Sequence, residues 1–170
     1  DYGTVDERKP FASYNWGYDP LNYNAPEGSY ATRPQNPLSR INELKQLILA
    51  LRENRIRVVM DVVYNHTWQT EASNLNQLVP NYYYRQDSRG NFTNGSGCGN
   101  ELATERFMVR KLIIDSLCYW AKEYTIKGFR MDLMGLYDLE TVQIIRSELD
   151  KIDSSIILYG EGWVGGPSML

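Results

Sequence analysis

The sequence predicts an α/β fold built around a parallel β-sheet. Three observations support this class. Segments with helical spacing alternate with short apolar runs, each later run is preceded by a helical segment, and polar residues collect where the runs end. Alternation of this kind is typical of βαβ units, in which a helix connects neighbouring parallel strands. The pattern leaves two architectures open, a doubly wound open sheet and a (β/α)₈ barrel.

The first half of the chain predicts two long loops around one helix and one strand. Residues 1–38 are rich in Tyr, Asn, Pro and Gly and have no sustained period. Apolar residues at helical spacing predict a helix over 39–54, with Ser39 as its N-cap. Residues 56–64 are nearly all apolar and β-branched, which predicts a strand covered on both faces. Residues 64–102 are again irregular, and connections of this length are generally functional or disordered.

The second half returns to regular elements. Helical spacing over 103–124 is followed by a strand over 127–135. Asp138 is a suitable cap for a helix that runs to about Ile152, and residues 154–163 form the last strand. No glycine-rich phosphate fingerprint follows any of these strands, which disfavours a nucleotide-binding sheet.

Composition excludes several function classes. The 170 residues carry a formal net charge of −3, so there is no excess of basic residues for a nucleic-acid surface. No apolar run approaches the roughly 20 residues that span a bilayer, and the chain does not begin with a signal-peptide pattern. Whether the protein is cytoplasmic or secreted stays open. Cys98 and Cys118 show no metal spacing and predict two free thiols.

Two carboxylates stand at strand ends in contrasting surroundings. Arg130 and Asp132 are two residues apart on a strand and therefore point to one face, where the guanidinium keeps the aspartate ionised. Glu161 lies between glycines, near Tyr159 and Trp163, and apolar aromatic walls favour its protonated form. An ionised nucleophile beside a protonated acid suits glycoside hydrolysis. A structural ion pair beside an unrelated glutamate remains the alternative.

The spacing between neighbouring strands indicates which type of glycosidase mechanism the two carboxylates could serve. Neighbouring parallel strands lie about 4.8 Å apart, so the carboxylates can be about 5–5.5 Å apart, as in retaining glycosidases. His66 is the only histidine and follows a strand end beside Asn65, where site residues collect. Asp61 lies inside the strand and predicts a supporting role, with hydrogen bonds to loop residues.

Four stretches together resemble the α-amylase superfamily, family 13 of the glycoside hydrolases. They are "DVVYNHT" (61–67), "GFRMDLMG" (128–135), "YGEGW" (159–163) and "YNWGYDP" (14–20), the last of which is similar to the signature of type I pullulanases. The resemblance implies a retaining hydrolase that cleaves α-1,6 linkages in pullulan, branched starch or glycogen. It leaves open an α-1,4-acting or isoamylase-like relative and a non-catalytic glucan-binding fragment.

The resemblance also implies roles by position. Asp132 matches the nucleophile, Glu161 the general acid/base and Arg130 the arginine that orients the nucleophile. A substrate-binding set of sugar-contacting and stacking residues is implied at His66, Tyr18, Trp16, Asn65 and Trp163. No cofactor is required. A structural Ca²⁺ near Asn65 is compatible with many members, although no metal ligand is assigned.

The family layout implies that residues 1–170 form an incomplete catalytic domain with no second domain. The expected fold is a partial (β/α)₈ barrel, from the end of strand 2 through strand 5. A third catalytic carboxylate and a second histidine would lie outside this sequence, so the isolated piece is expected to be inactive. Its open strand edges are expected to favour self-association.

Overall fold

The computed structural model describes residues 1–12, 14–168 and 170. Helices and strands alternate as the sequence predicts, and most element types are confirmed. In chain order, the elements are the 3-10 turn Gly28–Tyr30, α1 Pro37–Glu53, β1 Val59–Val62, α2 Asn74–Leu78, α3 Phe107–Glu123, β2 Gly128–Met131, the 3-10 turn Met134–Leu136, α4 Leu139–Ile152 and β3 Ile157–Gly160.

The three strands form one parallel sheet in the order β1-β2-β3, which confirms the predicted parallel pairing. In the central strand, Arg130 is in register with Asp61 of β1 and with Tyr159 of β3. Each strand is shorter than the apolar run that predicted it. Single backbone hydrogen bonds, such as Asp132 N to Val62 O at 2.9 Å, continue the ladder just beyond the strand ends.

The two faces of the sheet differ in burial. Phe129, Met131 and Val62 point toward the helices and are buried, whereas the alternate residues point to the other face. On that face Val59 is 39% exposed and Ile157 is 44% exposed. The prediction that β1 is covered on both faces is therefore wrong for this chain. Among the described residues, Tyr18 and Glu161 contact the polar end of this second face, which is otherwise partly exposed and which we call the open face.

The helix-covered core follows from the spacing of apolar residues on α3 and α4. Val109, Ile113 and Leu117 repeat every four residues on α3 and are fully buried. On α4, Ile145 and Leu149 repeat in the same way. This spacing puts one apolar stripe of each helix against the other helix and the sheet.

Helix starts follow local capping chemistry. The carboxylate of Asp138 accepts a hydrogen bond from the backbone N–H of Thr141 at 3.0 Å, which confirms its predicted role as N-cap of α4. The predicted cap of α1 is wrong. Asn36 caps that helix by accepting from Leu38 N at 3.0 Å. Pro37 occupies the first helical position, where its missing N–H costs nothing, so the helix begins before Ser39.

The long connection after β1 has more structure than predicted. It contains the short α2, and two antiparallel bridges pair Tyr84 with Leu102 and Gln86 with Phe92. Tyr84 and Leu102 are fully buried. These contacts fold the connection back on itself and hold it over the carboxyl ends of the strands.

Two further observations on the described residues concern membrane-spanning helices and the two cysteines. In the part that the structure describes, no helix combines the length and apolar character that a membrane crossing requires. Cys98 and Cys118 are both free, as the sequence predicts.

Candidate active site

The carboxyl ends of the three strands bring the predicted polar residues together. Asp61 and Arg130 are neighbours across the β1–β2 pair. Asp132 follows β2 directly, and Glu161 follows β3 directly. Because neighbouring parallel strands end at the same edge of the sheet, residues far apart in sequence become neighbours here.

One guanidinium group joins three carboxylates. Arg130 Nη1 donates to Asp61 Oδ1 at 2.9 Å and to Asp132 Oδ1 at 3.0 Å. Its Nη2 lies 2.5 Å from Glu161 Oε1. The predicted Arg130–Asp132 pair is present, and the same cation also bridges the two candidate catalytic carboxylates.

Asn65 and His66 connect Asp132 to the loop that contains Tyr18. Asn65 Nδ2 donates to Asp132 Oδ2 at 2.9 Å, and Asn65 Oδ1 lies 2.5 Å from His66 Nδ1. His66 Nε2 lies 2.7 Å from the carbonyl oxygen of Tyr18. Both Asn65 and His66 are buried. Their polar atoms are therefore engaged with protein groups in this structure.

Tyr18 completes a closed ring of polar contacts. Its hydroxyl donates to Asp61 Oδ2 at 2.7 Å, which confirms the predicted hydrogen bonding of Asp61 to a loop residue. The ring runs through residues that share direct polar contacts with their two neighbours: Asp132, Asn65, His66, Tyr18, Asp61 and Arg130. We refer to these residues as the polar ring.

The electrostatics follow from these contacts. The hydrogen bond to Asp61 is the largest of the effects that raise the pKa of Tyr18 to about 12, so its hydroxyl remains a donor at neutral pH. Burial opposes the charge of Arg130, but hydrogen bonding and the charge of Asp61 raise its pKa above the usual value. Burial also lowers the pKa of His66, while the carbonyl of Tyr18 and the charge of Asp132 act in the opposite direction.

The surroundings of Glu161 differ from the prediction. Aromatic walls were expected to favour its protonated form, yet Glu161 forms an ion pair with Arg130. Its Oε2 also accepts from the backbone N–H of Leu133 at 3.2 Å. Tyr159 and Trp163 are 52% and 60% exposed, so their rings do not form the apolar enclosure that the prediction assumed. The contact arises because Arg130 and Glu161 lie at adjacent strand ends, which the local sequence does not reveal.

The predicted aromatic residues differ in their contacts with the carboxylates. Trp16 is 79% exposed and packs edge-on against Tyr14, with ring centroids 5.4 Å apart. Within the described residues, no hydrogen bond joins Trp16 or Trp163 to a carboxylate. Of the predicted aromatic residues, Tyr18 is the one that enters the polar ring.

Leu133 is a site residue that sequence reasoning missed. Its φ is 41°, a left-handed conformation that costs energy for a residue with a side chain. This conformation accompanies the donation from Leu133 N to Glu161. A leucine gives no sequence signal for it, whereas a glycine or asparagine would have done so.

The side-chain amide of Asn65 is engaged by protein groups in this structure. Asn65 Oδ1 already contacts His66 Nδ1, and Asn65 Nδ2 is a donor rather than a metal ligand. Among residues 1–12, 14–168 and 170, no group of three or more His, Cys, Asp or Glu is arranged to hold a metal ion.

Comparisons with known proteins agree with the motifs. No family model matches the chain. The chain is 47% identical over 163 residues to a pullulanase from Bacillus subtilis (strain 168), a match that covers 96% of this chain and 23% of the relative. The solved pullulanase from Bacillus acidopullulyticus superposes with a TM-score of 0.97 at 55% identity, over 100% of this chain and 21% of that one.

A second solved structure gives the same result. The pullulanase from Anoxybacillus sp. LM18-11, complexed with maltotetraose, superposes with a TM-score of 0.96 at 51% identity, over 99% of this chain and 25% of that one. The chain thus spans between 21% and 25% of the length of these three proteins. The resemblance to type I pullulanases that the motifs indicated is therefore confirmed along nearly the whole of this chain.

Proposed function

We propose that this segment carries part of the active site of a retaining glycoside hydrolase that cleaves α-1,6 linkages in pullulan, branched starch or glycogen. The observation that supports this most is the bridging of Asp132 and Glu161 by Arg130 at adjacent strand ends. Two carboxylates that share one guanidinium are close enough for the separation of about 5–5.5 Å that retention requires.

We further propose that residues 1–170 are one incomplete catalytic domain and lie within a (β/α)₈ barrel. The open face supports this, because Asp61, Arg130 and Tyr159 point away from the helices. In a closed barrel that face is the interior. The family layout assigns this segment to the part of the barrel that runs from the end of strand 2 through strand 5.

In the proposed reaction, an oxygen of Asp132 attacks the anomeric carbon as the glycosidic C–O bond breaks. Glu161 donates its proton to the departing oxygen, and a covalent glycosyl-enzyme forms. Glu161 then removes a proton from water, whose oxygen displaces Asp132 from the anomeric carbon. Because Glu161 must be protonated for the first step, its ion pair with Arg130 has to loosen when substrate enters.

We assign the sugar-binding roles according to how buried or exposed each side chain is. Asn65 and His66 are buried, so we propose that they form the floor of the site beneath the sugar. Tyr18, Trp16 and Trp163 present aromatic rings on which sugar rings can stack. The maltotetraose complex of the Anoxybacillus protein supports an α-glucan oligosaccharide as ligand. A third catalytic carboxylate would come from outside this segment, so we expect no turnover by the segment alone.

A chimaera tests the proposal. The segment replaces the corresponding part of the Bacillus acidopullulyticus pullulanase, and the product is treated with a 5-fluoro glycosyl fluoride that traps the glycosyl-enzyme. Mass spectrometry is expected to find the label on Asp132, and Asp132→Asn is expected to abolish labelling. A folded chimaera labelled at another residue would refute the nucleophile.

Linkage preference is tested with the same chimaera. Pullulan, amylose and glycogen are assayed in parallel, and pullulan is expected to be hydrolysed fastest. Preference for amylose would favour an α-1,4-acting relative, and preference for glycogen over pullulan would favour an isoamylase-like enzyme. A folded chimaera that binds maltotriose by calorimetry without hydrolysing any of them would indicate a glucan-binding role.

A further inference from the structure

Two glycine-containing loops touch each other directly beside the candidate site. We call residues 93–101, within the connection after β1, the glycine loop, and residues 161–168, after β3, the acid loop. The backbone N–H of Gly166 donates to the carbonyl oxygen of Gly95 at 2.8 Å. A Cβ atom on Gly165 would lie 2.1 Å from the carbonyl oxygen of Ser96, which is far inside contact distance. The two backbones can approach this closely only because Gly165 has no side chain.

A buried ion pair anchors this contact. Glu101 is fully buried, and its Oε2 lies 3.2 Å from Nη1 of the buried Arg85. The same carboxylate accepts from the hydroxyl of Ser168 at 3.0 Å and, through Oε1, from the hydroxyl of Thr93. A buried carboxylate is tolerated only when its charge and its lone pairs are satisfied. Ser168 supplies one of the contacts that satisfy Glu101 and so ties the buried carboxylate to the acid loop.

A third loop holds the acid loop from the other side. Arg85 Nη2 lies 3.4 Å from the carbonyl oxygen of Leu136, in the turn that follows Asp132. In that turn, Gly135 N donates to the carbonyl oxygen of Glu161 at 3.2 Å. A Cβ atom on Gly135 would lie 2.7 Å from the carbonyl oxygen of Trp163. The acid loop is thus enclosed between the glycine loop and the turn after β2.

The same assembly reaches the nucleophile side of the site. Leu102, next to Glu101, donates its backbone N–H to the carbonyl oxygen of Asn65 at 2.8 Å. Asn65 in turn donates to Asp132. The contacts around Glu101 therefore reach Asn65, which holds Asp132, on one side and the acid loop, which begins at Glu161, on the other.

We propose that Glu101, with Arg85 and the close contact at Gly165, is a positioning residue that fixes Glu161 relative to Asp132. The inference rests on the proposed function, because it assigns Glu101 an effect on the acid/base step. Glu101 does not touch the substrate in this role. A displacement of about 1 Å at a catalytic group can reduce the rate by about a hundredfold, so a rigid anchor for the acid loop has a direct catalytic consequence.

The test compares two substrates in the chimaera described above. Hydrolysis of pullulan needs a proton from Glu161, whereas first-turnover release of fluoride from α-maltotriosyl fluoride needs little protonation of the leaving group. We expect Glu101→Gln and Gly165→Ala to lower kcat on pullulan by about tenfold or more. Fluoride release is expected to fall by less than about threefold, since the side chains of Asn65 and Arg130 still hold Asp132 in these variants.

Gly162→Ala is the matched control. It lies in the same loop, and a Cβ atom there would meet nothing within 4 Å. It is expected to retain the wild-type ratio of the two rates. Hydrogen exchange over residues 161–168 is expected to become faster in Gly165→Ala but not in Gly162→Ala. If Glu101→Gln does not fold, the comparison of these two glycine variants decides the proposal.

Glu161→Gln separates failure of this inference from failure of the proposed function. Suppose that Glu161→Gln lowers the pullulan rate selectively, whereas Glu101→Gln and Gly165→Ala lower both rates equally or leave both unchanged. The positioning role is then overturned and the proposed function stands. If Glu161→Gln itself shows no selectivity between the substrates, the acid/base assignment fails, and the inference fails with it.

Discussion

Replacing Arg130 tests the central electrostatic feature of the site. Its guanidinium contacts Asp61, Asp132 and Glu161 at distances between 2.5 and 3.0 Å. Arg130→Ala would leave three negative charges facing one another with no cation between them. Arg130→Lys keeps the charge but concentrates it on one atom, which cannot span both sides of the site as a planar guanidinium does.

The magnitude follows from Coulomb's law. At an effective dielectric constant near 20, two carboxylates about 5 Å apart repel each other by about 3 kcal/mol. Partial exposure and salt reduce this figure, and proton uptake relieves part of the repulsion. We therefore expect Arg130→Ala to raise the barrier by about 2–4 kcal/mol, or about 30- to 1,000-fold in kcat/KM. Arg130→Lys is expected to lose about tenfold.

The assay is kcat/KM for pullulan, measured with the chimaera at one fixed pH and ionic strength for all variants. Circular dichroism establishes that each variant is folded. A folded Arg130→Ala protein with kcat/KM within threefold of the wild-type value would show that Arg130 does not control these carboxylates.

Three further predictions concern the segment itself. Burial opposes the charge of Asp138, but hydrogen bonds from Thr141 and the charge of Arg110 lower its pKa, so its contribution to stability is present above its unfolded value of 3.8 and lost below it. Asp138→Ala should cost about 1 kcal/mol in thermal melts at pH 7 and much less near pH 2. The pKa of His66 lies below its usual 6.5, so the stability of the segment should fall as the pH drops below that value. The NMR signal of this single histidine measures the pKa directly. A gain in stability on acidification would contradict the prediction. The outer edges of β1 and β3 should make the isolated segment associate, and a monomer by light scattering across a hundredfold concentration range would argue against this.

The parts of the fold that depend on local pattern could be predicted. The spacing of apolar residues defines α3 and α4, and the chemistry of Asp138 defines the start of α4. The nearness of Arg130 and Asp132 follows from the two-residue period of a strand. The cap of α1 was within reach as well, because Asn36 before Pro37 is a strong start signal that competes with Ser39.

The parts that depend on tertiary neighbours could not be predicted. The ion pair of Glu161 with Arg130 joins residues on different strands, and the sequence around Glu161 shows only glycines and aromatic residues. The left-handed backbone at Leu133 has no local signal. The apolar run of β1 indicates a strand buried on both faces, whereas Val59 on its second face is 39% exposed.

The polar ring implies that substitutions within it are interdependent. Five of its six contacts join two side chains, and the sixth joins His66 to the backbone carbonyl of Tyr18, so a substitution at any member except Tyr18 releases the partners on both sides. A second substitution removes contacts that are already weakened and should add much less than its effect alone.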